Sequence, residues 1–497
     1  MQYFGRQKIN RFFKSLTVTF CAVCLLFTQK DTVLADNLTP AERLEIQRAM
    51  PVESNQVTNW PVGPTVGAES AILIEAETGT ILYSKNIHQK EYPASTTKIL
   101  TALITSERCS PDEIVTFSYD AVFDTPRDSS HIAMDVGQEL TVEQCLNAML
   151  IRSANEVCFA TAEHITGTTD WSVFAEIMNE RAEELGCLNS HFANPNGLPD
   201  ANHYTTAYDL AMIGRAFFAN EMLCKITTTR RMEFPATDKL PEGKLEVNLM
   251  KIIPGGEYAY EYLVGCKTGY TNEARSCLVS CAEKDGMKLI CVVMKDEAPY
   301  QYEDTISLFN YGFSNFDKVN VSQSETKYII EDSDMFYSGN DIFGNSQPLL
   351  SLKKDDYIIL PRTASFEDVE SSVSYDTQNP DQAALIQYTY QGIKIGTVAV
   401  NFTADNQDNN LFTSTAEEEA AMTEPDVADK PVVFINILKV LGILAGIAVL
   451  IFIVFLIRAF LKNYDFSHKN NRRTWRRNRK GHRKSVKRIN KFRDYDF

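Results

Sequence analysis

From Val440 to Ile457 the chain runs through eighteen residues without a charge, and Val432 to Leu438 adds an apolar lead-in broken only by Asn436. A stretch of that length is enough to cross the hydrocarbon core of a bilayer as one helix. A buried core helix is the alternative, but the residues after the span argue against it. Between Arg458 and Phe497 there are fifteen Lys or Arg and three acids, and a basic block directly after an apolar span marks the cytoplasmic side. Contact of this tail with anionic lipid or nucleic acid is not needed to explain it.

The other end has the same polarity logic. Arg6, Lys8, Arg11 and Lys14 precede an apolar run from Leu16 to Phe27, with Val33-Leu34-Ala35 beyond it. A basic segment, a short apolar segment and a small residue before the cut describe a secretory signal peptide, here expected to end at Ala35. The run is too short to favour an uncleaved anchor. The organisation expected is a signal peptide over 1–35, a lead-in over 36–67, an enzyme domain over 68–318 and a β-rich domain over 319–404. An acidic stalk over 405–431, a transmembrane helix over 432–457 and a cytoplasmic basic tail over 458–497 complete it. The body would then be extracytoplasmic on a single-pass cell-membrane anchor. The whole chain carries −16 although both ends are basic, so the exported body is more acidic still. Such a body is ill suited to nucleic acid, whose binding rests on phosphate contacts. The nine cysteines after the signal segment have irregular spacing and apolar neighbours, which reads as buried free thiols rather than a disulfide framework.

Within the body, Ala71 to Ile74 and Thr80 to Tyr83 flank Glu77-Thr78-Gly79 as a hairpin. Helical periodicity then runs over Ser95–Thr105, Val142–Leu150, Glu156–Ile165, Trp171–Leu185 and Ala207–Phe218, with Thr141 and Gln144 as a capping box and Gly186 as a stop. Strands return at Ser276–Ala282 and Lys288–Met294, and a helix comes next from about Asp304 to Phe313. Strands at both ends with helices between them predict one α+β domain whose terminal strands share a sheet. Short runs at Lys327–Ile330, Tyr357–Leu360, Ala384–Tyr390 and Gly396–Phe402 predict the small all-β domain.

Three short motifs occur in order: Ser95-Thr96-Thr97-Lys98, then Ser153-Ala154-Asn155 in a break between two helical runs, then Lys267-Thr268-Gly269 just ahead of a strand. Each is weak alone; the order and settings make them a set. Three residues apart on a helix, Ser95 and Lys98 share a face. A serine hydroxyl is a poor nucleophile until a base takes its proton, and a buried lysine near other cations can be neutral enough to do so. Ser95 at a helix N-terminus would also meet free N–H groups that favour developing negative charge.

This ordered set is the signature of penicillin-binding proteins and class A β-lactamases. Over about 68–404 the chain resembles the low-molecular-weight D-alanyl-D-alanine carboxypeptidases, serine peptidases of the S11 type. The matching stretches are Tyr92–Lys98, Leu150–Glu156, His191-Phe192 to Gly197-Leu198 and Gly265–Thr271. The resemblance implies a transpeptidase-like α+β fold with an antiparallel sheet, followed by the β domain. It implies Ser95 as nucleophile, Lys98 as its base and Ser153 as proton relay. Asn155 would hold a substrate amide, Lys267, Thr268 and Gly269 would line the site of the terminal carboxylate, and the N–H groups of Ser95 and Tyr270 would form the oxyanion hole. Peptidoglycan stem peptides and β-lactams are the implied ligands, with no cofactor and no metal. Where the family usually has an Ala-Gly pair entering the next strand, this chain has Ala274-Arg275. The His203–Asp209 stretch is read as structural. A β-lactamase-like hydrolase would need a Glu-x-x-Leu-Asn motif, and Glu184 to Leu188-Asn189 has one residue too many. A non-catalytic wall-binding module would not need the intact motifs.

Overall fold

The computed structural model describes residues 38–234, 236, 241–325, 350–377 and 379–402. The signal peptide, stalk, transmembrane span and basic tail expected from the sequence lie outside these residues, as does the strand expected at 327–330. Among the described residues no helix is long and apolar enough to cross a membrane.

The lead-in forms helix α1 (Pro40–Arg48), begun by a Thr39/Glu42 capping box with proline in its first turn. The hairpin comes next as β1 (Ser70–Glu75) and β2 (Ile81–Lys85). A 3-10 turn, Ala94–Thr97, leads directly into α2 (Lys98–Arg108). A small ribbon of β3 (Ile114–Thr116) and β4 (Glu139–Thr141) encloses the short helix α3 (Tyr119–Phe123) and a loop over 124–138. Helices α4 (Val142–Ile151), α5 (Asn155–Thr166), α6 (Trp171–Glu184) and α7 (Ala207–Phe218) match the periodic segments to within a residue or two. The Thr141/Gln144 box caps α4, and Gly186 takes the left-handed conformation just beyond α6.

Helix α8 (Glu221–Thr228) and a ribbon of β5 (Arg231–Phe234) and β6 (Lys244–Val247) come next. The long strands are β7 (Leu263–Thr271), β8 (Arg275–Lys284) and β9 (Met287–Asp296), after which α9 spans Tyr300–Asn315. Five strands form one antiparallel sheet in the order β2-β1-β9-β8-β7, so strands from the two ends of the domain share it. Lys267-Thr268-Gly269, expected just ahead of a strand, instead lies inside one, β7, at the sheet edge.

The sheet is covered on both faces, so its central strands read as unbroken apolar runs instead of alternating ones. Along β9, Ile290, Val292 and Met294 enter the core beneath the helices, while Leu289, Cys291 and Val293 enter a second core on the opposite face. Helix α9 packs on that second face. The β domain joins the same core: β10 (Phe316–Asn320) pairs with β12 (Tyr357–Pro361) beside the short helix α10 (Val321–Ser324). A four-stranded sheet contains β11 (Leu350–Leu352), β13 (Glu370–Ser374), β14 (Gln382–Tyr390) and β15 (Ile393–Phe402). Trp60 of the lead-in packs in tilted geometry against Phe316 and Tyr390, and the Tyr357 hydroxyl lies 2.9 Å from a Glu75 carboxylate oxygen and 2.7 Å from one of Glu77. All nine cysteines of the described residues are free, and eight are buried.

Candidate active site

Ser95 does not begin an α-helix, as its periodicity suggested; it sits in the 3-10 turn, and the α-helix starts at Lys98. The difference helps the pairing, because residues three apart eclipse one another in a 3-10 turn. Lys98 Nζ reaches Ser95 Oγ at 3.0 Å. The same ammonium position touches Asn155 Oδ1 at 2.7 Å and the Asn196 carbonyl at 2.6 Å, so three acceptors surround one buried amine. Burial pushes the Lys98 pKa down to about 8. Near neutrality a fraction of this amine is therefore neutral, with a lone pair available to the Ser95 hydroxyl.

The second lysine completes the cluster. Lys267 on β7 is fully buried and donates to Ser153 Oγ at 3.1 Å and to the Thr268 carbonyl at 2.8 Å. Burial, with Lys98 as a nearby cation, lowers its pKa to about 7. The neighbouring Lys98 thus makes a proton on Lys267 harder to keep. The Thr268 hydroxyl faces the Met250 sulfur at 3.2 Å, a weak partner that a carboxylate would displace.

Backbone strain marks the same place. Ser153, in the break between α4 and α5, has φ 60°, and Ala94, just before Ser95, has φ 48°. Non-glycine residues in this region cost of order 1–3 kcal/mol each and collect at functional sites. Gly269 lets β7 approach the serine turn: a Cβ there would lie 2.8 Å from Pro93 O and 2.9 Å from the Ser95 and Thr96 nitrogens. The unpaired edge of β7 thus runs beside the N–H groups of that turn.

Sequence reasoning missed one wall of the cleft. Gly197 (φ 83°) has no room for a side chain, since its Cβ would fall 1.8 Å from Ala94 O. The Asn194-Pro195-Asn196-Gly197 turn so formed delivers the Asn196 carbonyl to Lys98. Its Asn-Gly and Pro signals mark a turn but not its destination. Asp128, Ser129 and Ser130 from the loop over 124–138 form another wall, tied down by Asn155 N donating to Ser130 O at 2.9 Å. The open cleft is about 740 Å3 and holds Ser95, Ser153, Asn155, Thr268, Gly269 and Tyr270 at its surface. His203 stands behind it. Ala193 N donates to His203 Nδ1, so Nε2 carries the hydrogen and donates to Thr97 Oγ1 at 2.8 Å. Burial lowers the His203 pKa to about 4, leaving a neutral, structural imidazole. Thr206 caps α7 through Asp209 N.

The carboxylates of the described residues lining the cleft are those of Asp128 and Glu273. Glu184, the nearest match to a deacylating glutamate, instead pairs with Arg181 at the surface. The β7–β8 hairpin closes through Thr271 and Arg275 with Arg275 at φ 53°, and Ala274 N donates to Thr271 Oγ1. Arg275 therefore adopts the left-handed geometry that glycine takes most easily, and the hairpin keeps its register.

A cleft-facing serine on a buried lysine, a second buried lysine on a sheet edge and N–H groups beside that serine define a serine acyl-transfer enzyme of the penicillin-recognising fold. The sequence profile of the D-alanyl-D-alanine carboxypeptidases, peptidase family S11, matches residues 56–298. The chain is 32% identical over 284 residues to the D-alanyl-D-alanine carboxypeptidase DacF of Bacillus subtilis, covering 53% of this chain and 69% of that one. It is 30% identical over 260 residues to the D-alanyl-D-alanine carboxypeptidase DacB2 of Mycobacterium tuberculosis, covering 51% and 84%. The chain belongs to the D-alanyl-D-alanine carboxypeptidase family. Its fold is shared with penicillin binding protein 5 from Haemophilus influenzae, at 24% identity and a TM-score of 0.54 over 69% of this chain and 98% of that one.

Proposed function

We propose that this protein removes the terminal D-alanine from peptidoglycan stem peptides through an acyl-enzyme on Ser95. The single observation that carries the reading is Lys98, buried, held 3.0 Å from Ser95 Oγ and depressed toward neutrality. A peptide ending in D-Ala-D-Ala would lie along the open edge of β7, its carboxylate meeting Lys267 and Thr268. That anion would hold a proton on Lys267, which leaves Lys98 as the neutral member of the pair. Ser95 Oγ attacks the penultimate carbonyl as its proton passes to Lys98. The N–H groups of Ser95 and Tyr270 receive the oxyanion, and Asn155 holds the substrate's amide. The C–N bond breaks as the proton taken up by Lys98 is relayed through the Ser153 hydroxyl to the leaving amine, which restores both groups, and D-alanine departs. Water then hydrolyses the ester. A β-lactam, shaped like the D-Ala-D-Ala end, would acylate the same oxygen.

The signal segment, acidic stalk, apolar span and basic tail support an extracytoplasmic enzyme held by one C-terminal helix with its tail in the cytoplasm. The test uses the full-length chain. D-Alanine release from a pentapeptide, and covalent labelling by a fluorescent penicillin, should both vanish in Ser95→Ala. Protease added to intact cells should remove the labelled domain and spare a tag on the tail. A folded parent that is labelled but releases no D-alanine would overturn the carboxypeptidase reading in favour of a β-lactamase-like or binding role.

A further inference from the structure

The helices α2 and α5 both begin in the catalytic cluster, with Lys98 at the start of one and Asn155 at the start of the other. Their far ends also converge. Cys109 caps the C-terminus of α2, and His164 lies in the last turn of α5. Glu113, from the loop after α2, stands between them, its Oε2 3.0 Å from His164 Nε2. One ligand-competent atom from each of the three residues falls within 4.8 Å of the others.

We propose that Cys109, Glu113 and His164 form a structural site for a divalent metal of zinc type. Thiolate, imidazole and carboxylate are the three donor types that zinc takes, at about 2.0 to 2.3 Å. Tetrahedral angles at those lengths require ligand atoms roughly 3.3 to 3.8 Å apart, so side-chain adjustments of about an ångström close the site. The backbone is already fixed there: Val142 N donates to the Glu113 carbonyl at 2.9 Å, and Ser110 N donates to the Glu113 carboxylate. Glu113 is exposed and the other two are half-buried, which leaves the fourth position to water. On binding, the Cys109 S–H bond breaks, its proton goes to solvent and a metal–sulfur bond forms; affinity therefore rises with pH.

The site would not take part in the reaction. Eleven residues of α2 separate the trio from Ser95, roughly 16 Å along the helix axis. Its effect would be a clamp on the distal ends of the two helices whose first turns hold Lys98 against Ser95 and Asn155.

The experiment measures Zn2+ binding to the full-length chain by calorimetry and by metal content after dialysis, with Co2+ as a spectroscopic probe. The expected result is one saturable equivalent, a cobalt–thiolate charge-transfer band, and a melting temperature raised by roughly 5 °C at a hundredfold excess over Kd. Cys109→Ser should lose the band and the thermal shift, and Glu113→Gln should weaken binding while preserving the fold. Penicillin acylation by Cys109→Ser without added metal should equal that of the parent, showing that the variant folds. No saturable Zn2+ binding by the parent, or binding and band unchanged in a folded Cys109→Ser, would overturn the proposal and leave an ordinary Glu113–His164 hydrogen bond.

Discussion

Replacing Gly269 by alanine places one methyl group where β7 meets the turn that carries Ser95. The added carbon would lie 2.8 Å from Pro93 O and 2.9 Å from both the Ser95 and Thr96 nitrogens. Ordinary contact begins near 3.4 Å, so the strand and the turn must separate by about 0.5 Å. All three neighbours are backbone atoms, and no flexible side chain can swing aside. The strain costs about 1–3 kcal/mol of stability if it is absorbed locally. That corresponds to a melting temperature lower by roughly 2–12 °C for a domain of this size. The effect on chemistry should be larger in proportion. The added carbon presses on the Ser95 nitrogen, one of the two proposed oxyanion donors, and one misplaced donor of that kind costs about 10²- to 10³-fold in rate. Acylation by a fluorescent penicillin, followed under pseudo-first-order conditions, should therefore slow by about a hundredfold in protein that remains folded by circular dichroism. Acylation within twofold of the parent in folded Gly269→Ala would refute the argument that this close approach assembles the oxyanion hole.

The lysine pair should give acylation that falls as the pH drops below about 7 to 8, because Lys98, lowered to about 8, gains its proton and can no longer accept one from Ser95. Lys267, lowered to about 7, should cause a decline at higher pH by losing the proton proposed to bind carboxylate, and Lys267→Arg, always charged, should remove that decline. A profile of kcat/KM flat between about pH 5.5 and 9 would refute this division of labour. At the hairpin tip, Arg275→Gly should raise the melting temperature by a few degrees, since φ 53° costs an arginine about 1 kcal/mol that glycine escapes. Unchanged or lower stability would show that the Arg275 side chain makes compensating contacts.

Much of the helical layer was legible because its physics is local. The Thr141/Gln144 box, the stop at Gly186 and the 3.6-residue periodicity of Ala207–Phe218 are set by neighbours in the chain, and the structure places those elements where the pattern does. The Ser95–Lys98 contact was legible for the same reason, the two being one turn apart. Strand β7 was not. It carries a buried lysine, a threonine and a glycine packed against the Ser95 turn, so apolar alternation, the usual strand signal, is absent from its functional half. Helix α8 and the β5–β6 ribbon, with its outward Leu245 and Val247, were likewise hidden.

By itself the sequence determined the order of the three motifs and the residue types able to carry acyl transfer. What it could not determine is distance between residues far apart in the chain. Lys98 meets Asn155 and the Asn196 carbonyl, Lys267 meets Ser153, and Cys109 and Glu113 meet His164, only because the sheet and helices bring them together. The lowered pKa values of both lysines have the same origin: desolvation is a property of the packed interior, and no spacing of residues along a chain encodes it.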